Sequence, residues 1–530
     1  MASPVLKSPE LAFAAHLRAI ARVNPFLPDR VELERAALGS SYVEFGSAKA
    51  FGIGEGPNPN LDPLLVKARE LLRALQAKVA GRKAKVAPAD AEAAGHLGLF
   101  VLYHTHIAGL TELAKQAASS EASKGIRVPW YSKFESDMEQ LLTLGGVRLL
   151  SEETAPRTLA LFFQMARAFV NIYAKFVGRS SAAVTLRASI WDSIFTHDLE
   201  RYRRALLRTD ADSDGGSAVT LTSDIPTLIT GPSGTGKELV AQAVGRSGFV
   251  PFQVKGTCFK IDSSALFLPI HLAALSPSLI ESELFGHRRG AFTGALEDRA
   301  SFLEVCAPYG AVFLDEIAEI DGTLQVKLLR VLQTREFLRL GDAQPRRFLG
   351  RLVSATNRDL AAEIDAGRFR EDLFYRLNAD RLVTPSLREL INGDSNELAH
   401  LVGYVASQLL PCGGSSGSEE KAFAAELCEW IESSLGLDYG WPGNFRELQQ
   451  CARSVLIRGV YRPATTAKSE AHVELSSAVA GNRLTADQML TRYCAQVFDE
   501  VGTYEGAARR LGLDRRTVKA RVLAARDGGG

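Results

Sequence analysis

Pro226-Thr227-Leu228-Ile229-Thr230-Gly231-Pro232-Ser233-Gly234-Thr235-Gly236-Lys237-Glu238 decides the fold. Residues 226–230 read as a short apolar strand, and 237–244 have the pattern of a helix. Between them, glycines let backbone N–H groups ring a phosphate, the helix N-terminus adds a favourable dipole, and Lys237 reaches the terminal phosphates. Gly231, Pro232, Ser233, Gly234, Thr235, Gly236 and Lys237 therefore form a candidate nucleotide cradle. A chance glycine-rich turn would need neither the strand before nor the helix after. Glu238 stands where a hydroxyl more often meets Mg²⁺; a carboxylate can serve directly or through water.

Further along, Gly310-Ala311-Val312-Phe313-Leu314-Asp315-Glu316 is a buried strand with two carboxylates at its C-terminal end, where open α/β sheets bind ligands. Asp315 is expected to orient Mg²⁺ and Glu316 to activate the attacking water, the alternative being plain strand-end charges. A third strand, 351–355, leads to Asn357, which either senses the γ-phosphate or simply makes a turn. Strands and helices alternate from 225 to about 461, which predicts an α/β domain with a mainly parallel sheet, and 385–460 turn helical as a lid. Between phosphate loop and acidic strand lies Gly290-Ala291-Phe292-Thr293-Gly294-Ala295, a glycine-hinged loop with an aromatic tip. A nucleotide site on both sides of such a loop suggests a motor that pushes on a partner. A buried loop phenylalanine is the alternative, and spacing alone favours it.

The chain has 530 residues, 46% hydrophobic and 23% charged, as expected of a soluble protein of about three domains. Its net charge of +1 excludes a global field for nucleic acid. The six cysteines, Cys258, Cys306, Cys412, Cys428, Cys451 and Cys494, include no C-x-x-C pair and read as thiols of a reducing cytoplasm. Residues 1–10 lack a signal layout, and Gln164, Arg167, Asn171 and Lys175 interrupt the apolar run 159–177, so neither export nor a membrane partner is expected.

Residues 1 to about 180 read as mostly helical, with helices at 64–79, from Pro88 and from Pro156, and a glycine-rich loop at 52–59. His96, His104 and His106 lack a matching carboxylate or cysteine cluster and read as structural histidines rather than metal ligands. No acidic pair follows an early strand, so a phospho-receiver domain is not expected. Residues 188–207 read as one basic amphipathic helix leading into the next domain, and 210–217 as a polar loop.

Six ordered motifs carry a resemblance: 231–238, Glu281-Ser282-Glu283-Leu284-Phe285-Gly286-His287, 290–295, Phe313-Leu314-Asp315-Glu316, Phe369-Arg370-Glu371-Asp372-Leu373-Phe374-Tyr375-Arg376-Leu377 and Trp441-Pro442-Gly443-Asn444-Phe445-Arg446-Glu447-Leu448. Over about 225–460 the chain resembles the bacterial enhancer-binding proteins, AAA+ ATPases that activate sigma-54 RNA polymerase. The resemblance implies ATP bound between subunits of a homo-oligomeric ring, usually a hexamer. It gives Arg370 and Arg376 as arginine fingers, whose guanidinium groups would neutralise charge on the transferring phosphoryl group; surface arginines paired with Glu371 or Asp372 are the alternative. Arg446 matches the lid arginine that reads bound nucleotide. The loop Gly290, Ala291, Phe292, Thr293, Gly294, Ala295 matches the sigma-54-contacting loop, with Phe292 as the apolar contact. Three departures stand out: His271 replaces an Asn that couples the acidic glutamate to the phosphate, Pro232 replaces a common Glu, and 246–268 are longer or more irregular.

At the other end, 504–511 and 515–523 read as a helix-turn-helix around Gly512-Leu513-Asp514, with Asp514 as N-cap. Seven basic residues face three acidic ones over 503–527, a net of +4. This part resembles the Fis-type domain, which implies Arg515, Arg516, Thr517, Lys519 and Arg521 as DNA contacts in or near the major groove. Leu490, Tyr493, Cys494, Val497 and Phe498 form either a dimer seam or the domain core.

The expected organisation is an N-terminal helical regulatory region (1–185), an AAA+ α/β core (186–384), its helical lid (385–462), a linker (463–483) and an all-α helix-turn-helix domain (484–530). The expected function is a cytoplasmic, ATP- and Mg²⁺-dependent activator that binds upstream DNA and remodels sigma-54 RNA polymerase. One alternative keeps DNA binding with a ring that hydrolyses weakly or not at all, and another keeps hydrolysis but changes the target.

Overall fold

The computed structural model describes residues 5–44, 58–80, 86–118, 125–150, 153–207, 224–262, 264–410, 418–463 and 485–527. The expected loops at 52–59 and 210–217, the linker and Cys412 fall wholly or largely outside them. Two compact units emerge, Met1–Arg453 and Ser454–Gly530.

A five-stranded parallel sheet organises the first unit. Its strands are β1 (Thr227–Thr230), β2 (Phe267–His271), β3 (Ala311–Asp315), β4 (Arg351–Thr356) and β5 (Asp380–Val383), in spatial order β5-β1-β4-β3-β2. In β3, Ala311 and Phe313 enter one hydrophobic core while Val312 and Leu314 enter another on the opposite face. Burial on both faces explains the continuous apolar run of this strand. Helices Leu387–Ile391, Ser395–Leu409, Ser418–Ser434 and Asn444–Arg458 follow where a lid is expected. The P-loop α/β domain with helical lid is thus present.

Two strands were illegible in the sequence. Pro269 interrupts the apolar reading of β2, yet β2 is an edge strand, where a missing N–H is tolerated. The charges of Asp380 and Arg381 hide β5, the opposite edge. The single helix expected over 188–207 is instead two, Ser181–Phe195 and Leu199–Leu207. Thr196 breaks it with φ of 65°, and Asp198 then accepts from the N–H groups of Glu200 and Arg201 to start the second helix.

The N-terminal helices include Leu61–Ala80, Pro88–Ala118 and Ala155–Tyr173, near the positions read from Leu and Pro spacing. They share the sheet's core: Phe134, Phe163 and Ile190 belong to the same buried cluster as Ile229, Phe313 and Val353. The irregular segment 246–268 contains a hairpin, Phe252–Gln253 with Cys258–Phe259. Ile126–Arg127 from the N-terminal region adds a third antiparallel strand to it, and Phe163 stacks on Phe259 at 4.2 Å.

Arg351 locks these layers at the start of β4. Its buried guanidinium donates to Thr227 Oγ1 at 2.7 Å, Ser193 O at 2.9 Å, Ser193 Oγ at 2.9 Å and Asp380 Oδ2 at 3.1 Å. Removing Arg351 leaves the partly buried Asp380 uncompensated and takes the donor from Ser193 O. Arg351→Ala is expected to lower stability by about 3–5 kcal/mol, read from the denaturant midpoint; an unshifted midpoint would show the network to be dispensable.

The second unit contains helices Ala486–Val501, Tyr504–Leu511 and Arg515–Asp527 around Cys494, Val497, Ala507, Ala508, Val518 and Val522. Cys494, Val497, Leu490 and Phe498 serve this core, whereas Tyr493 is exposed. Thr503 caps the second helix, and Gly502 and Gly512 take the left-handed conformation that ends the helix before each turn.

Candidate functional site

The phosphate loop follows β1 and opens the helix Lys237–Gly245. Gly234 has φ of 80°, and a Cβ there would lie 2.4 Å from Gly443 O; one on Gly231 would lie 2.1 Å from Thr384 Oγ1. Both glycines therefore permit close approach by lid and sheet as well as loop curvature. Lys237 Nζ donates to Gly231 O at 3.0 Å and Pro232 O at 3.1 Å. Burial pushes its pKa down against the pull of Glu316 and Asp315. Thr235 Oγ1 bonds Pro232 O and Thr384 Oγ1.

The lid reaches this loop through one turn. Asn444 Nδ2 donates to Ser233 O at 2.9 Å, Phe445 N to Gly234 O at 3.1 Å, and Arg446 Nη1 to Ser233 Oγ at 3.1 Å. These bonds tie the lid directly to the backbone and side chain of the phosphate loop.

The cleft between loop, sheet and lid has a volume of about 500 Å³, within the range of small-molecule sites. Ser233, Gly234, Thr235, Gly236, Lys237, Glu238, Asp315, Glu316 and Arg446 line it together. Phe176, Val177, Leu186, Leu390 and Tyr404 form its apolar part. These last residues went unrecognised in the sequence, because they arrive from both sides of the expected domain boundaries; Phe176-Val177-Gly178 at the end of a helix was the available signal.

Glu316 follows β3 with φ of 57°, and its Oε2 accepts from Asn357 N at 3.3 Å. His271 is a ladder neighbour of Asp315 in the β2–β3 register, and its Nδ1 lies 3.0 Å from Asp315 Oδ2. The imidazole therefore meets Asp315 rather than the glutamate that the resemblance led one to expect. Arg370 and Arg376 do not line the cleft of their own chain. Arg370 forks onto Asp372 at 3.0 and 2.7 Å, and Arg376 is exposed on the helix Glu371–Leu377.

Gly290 and Gly294 have φ of 82° and 103°, and Gly290 N donates to Ala295 O at 2.9 Å, closing the loop between them. Phe292 is 42% exposed, with only its edge-to-face contact with the His287 ring at 5.0 Å among ring contacts of the described residues. The buried alternative does not hold. Arg288 braces the stem through Asp298 at 2.8 Å and Asp342 at 3.2 Å, a support that sequence reading missed.

Residues 216–383 match the family described as the Sigma-54 interaction domain. The chain is 37% identical over 317 residues to the transcriptional regulatory protein ZraR of Escherichia coli (strain K12), covering 58% of this chain and 64% of that protein. It is 41% identical over 259 residues to the anaerobic nitric oxide reductase transcription regulator NorR of Salmonella paratyphi C (strain RKS4594), covering 48% and 46%. The match thus spans less than two thirds of either relative. A solved structure of NtrX from Brucella abortus in complex with ATP is similar at 22% identity and a TM-score of 0.37, over 71% of this chain and 76% of that one. The matched span, 216–383, includes the phosphate loop, the acidic strand, the Phe292 loop and both candidate finger arginines; Arg446 lies beyond it, in the lid.

In the second unit, Arg515, Arg516, Thr517 and Lys519 are exposed on the last helix, and Asp514 Oδ1 accepts from Arg516 N at 2.5 Å, as a cap should. Arg521 is engaged within the domain, by Asp487 at 2.8 Å and Thr491 Oγ1 at 2.9 Å.

Proposed function

We propose that this chain is a sigma-54-dependent transcriptional activator that hydrolyses ATP in a ring and uses Phe292 to remodel sigma-54 RNA polymerase. The observation that carries this reading is the exposed Phe292 on a braced, glycine-hinged loop within a sigma-54 interaction domain whose phosphate loop and acidic strand share one cleft. An exposed aromatic tip is costly unless a partner covers it.

ATP is the substrate. The backbone of 231–236 and Lys237 would bind its phosphates, with Lys237 exchanging two loop carbonyls for phosphate oxygens. Asp315 and Glu238, both lining the cleft, fit Mg²⁺, which would screen phosphate charge when bound. Glu316 takes the proton of the attacking water, Asn357 positions that carboxylate through its backbone N–H, and Arg446 reports phosphate occupancy to the lid. Arg370 and Arg376 act on a neighbouring subunit's nucleotide. Arg515, Arg516, Thr517 and Lys519 contact upstream DNA, while Arg521 holds the helix that presents them. The working boundaries remain 1–185, 186–384, 385–462, 463–483 and 484–530, and the setting is the cytoplasm.

A second reading, a DNA-binding regulator with a weakly hydrolysing ring, draws on the His271–Asp315 contact, which places an imidazole on the carboxylate assigned to Mg²⁺.

Capture of purified sigma-54 by the full chain, with ADP and a phosphate transition-state mimic, tests the first reading. Wild type should retain sigma-54, and Phe292→Ala should lose at least tenfold of the capture with unchanged nucleotide binding. Equal capture by both proteins would remove Phe292 from the interface.

A further inference from the structure

A second space, about 530 Å³, lies among the N-terminal helices, apart from the residues that line the nucleotide cleft. Its walls are mostly apolar and aromatic, with Phe100, Phe162, Met165, Phe169 and Trp191 contributing. Tyr103 and His104 also line it, and neither makes a hydrogen bond to any described residue; His104 Nδ1 is among the buried atoms left without a partner. Unpaired buried polar groups cost free energy unless something meets them. Both groups are neutral near pH 7: burial holds His104 down to about 3 and Tyr103 up to about 12. The arginines at the edge are already balanced, Arg18 by Glu92, Arg22 by Glu200 and Arg30 by Glu34. Arg203 is paired with Glu153 and Glu200, so Lys115 is the one lining cation that forms no ion pair among the described residues; the rest of the lining offers a charged ligand no uncompensated countercharge, and an uncharged ring with one hydrogen-bonding group matches the apolar walls and the free side chains of Tyr103 and His104.

One wall leads onward. The helix Ala155–Tyr173 supplies Phe162, Met165 and Phe169 to the cavity. From the same helix, Gln164 donates to Ser247 O at 3.0 Å, Asn171 to Ser247 Oγ at 3.1 Å, and Arg167 to the carbonyls of Arg246 and Gly248. Those atoms directly follow the helix that starts at Lys237. Displacing the wall helix therefore loads the element that carries the phosphate-binding lysine.

We propose that this cavity is the input site of the protein: it binds an uncharged organic molecule of one or two rings bearing a hydroxyl or carbonyl group, and through the helix Ala155–Tyr173 it adjusts the nucleotide site. The binding half stands by itself; the coupling half rests on the nucleotide reading above.

The probe is 2-naphthol, titrated into the full chain by calorimetry beside naphthalene and 2-naphthoate. Saturable binding of one 2-naphthol per chain is expected, with naphthalene and 2-naphthoate each at least fivefold weaker. Leu99→Trp, which fills the cavity, should weaken 2-naphthol at least tenfold, and the shape-conserving His104→Phe threefold or more, with melting and binding of an ATP analogue confirming the fold. Should Leu99→Trp not fold, the His104→Phe and Tyr103→Phe pair carries the test. Equal affinity in wild type and these variants, or no saturable binding, overturns the site. An ATP-analogue affinity that does not change by at least twofold on saturation with 2-naphthol overturns the coupling alone; absent analogue binding would instead indict the nucleotide reading.

Discussion

Glu316→Gln is expected to lower ATP turnover by about 10²–10⁴-fold, the usual contribution of a general base, while nucleotide affinity stays within about threefold of wild type. The geometry isolates one property. Glutamine fills the same volume, and its carbonyl oxygen can still accept from Asn357 N, the bond that Glu316 Oε2 makes at 3.3 Å. What disappears is the basicity needed to take a proton from water. Glu316 also sits at φ of 57°, a backbone conformation uncommon outside glycine, directly after a strand whose first four residues are fully buried. The rigid strand thus fixes where the carboxylate emerges, and strain at such a position points to a functional constraint. Steady-state phosphate release by wild type, Glu316→Gln and Lys237→Ala decides the matter. Lys237→Ala should lose nucleotide binding as well as turnover. If wild type hydrolyses no faster than either variant, the weakly hydrolysing reading prevails.

The phosphate loop, the acidic strand and the helix-turn-helix were legible because each is written in contiguous residues. Glycine spacing, a capping Thr or Asp and a run of buried apolar residues act over one or two turns of chain, so the sequence carries their geometry directly. The apolar end of the cleft is different. Phe176, Leu186, Leu390 and Tyr404 come from segments separated by about two hundred positions, and none has a local signature. Arg351 reads in isolation as a surface charge, yet the sheet buries it among Thr227, Ser193 and Asp380. Pro269 and the charges of Asp380 and Arg381 give no strand signal, yet the sheet accepts both segments at its two edges. Phe292 shows the limit in the other direction: spacing favoured burial, yet the ring stands outward beside a stem braced by Arg288. The motif order resolved what spacing could not. For His271 even that failed, because its partner is set by ladder register rather than by motif position.

Arg376→Ala is expected to reduce turnover by about 10³-fold or more, as loss of an arginine finger does, although the residue lies outside the cleft of its own chain. Arg370→Ala should act in the same direction. Arg370 is held by Asp372 in the isolated chain, so it must exchange that pair for a phosphoryl group, while Arg376 is exposed on the following helix. Surface arginines with a merely local role would each change stability little and turnover less. A shared site makes a sharper demand. In a head-to-tail ring, a subunit with Glu316 intact but Arg376 replaced can be served by a neighbour with Arg376 intact but Glu316 replaced. Random mixing of Glu316→Gln and Arg376→Ala subunits would give about a quarter of interfaces both groups, because each heterologous interface takes one element from each side. Two inactive preparations should therefore regain ATPase activity when mixed under assembling conditions, and the gain should vanish on dilution below assembly. Mixtures as inactive as their components, despite demonstrated co-assembly, would rule out that Arg376 serves the nucleotide of a neighbouring subunit.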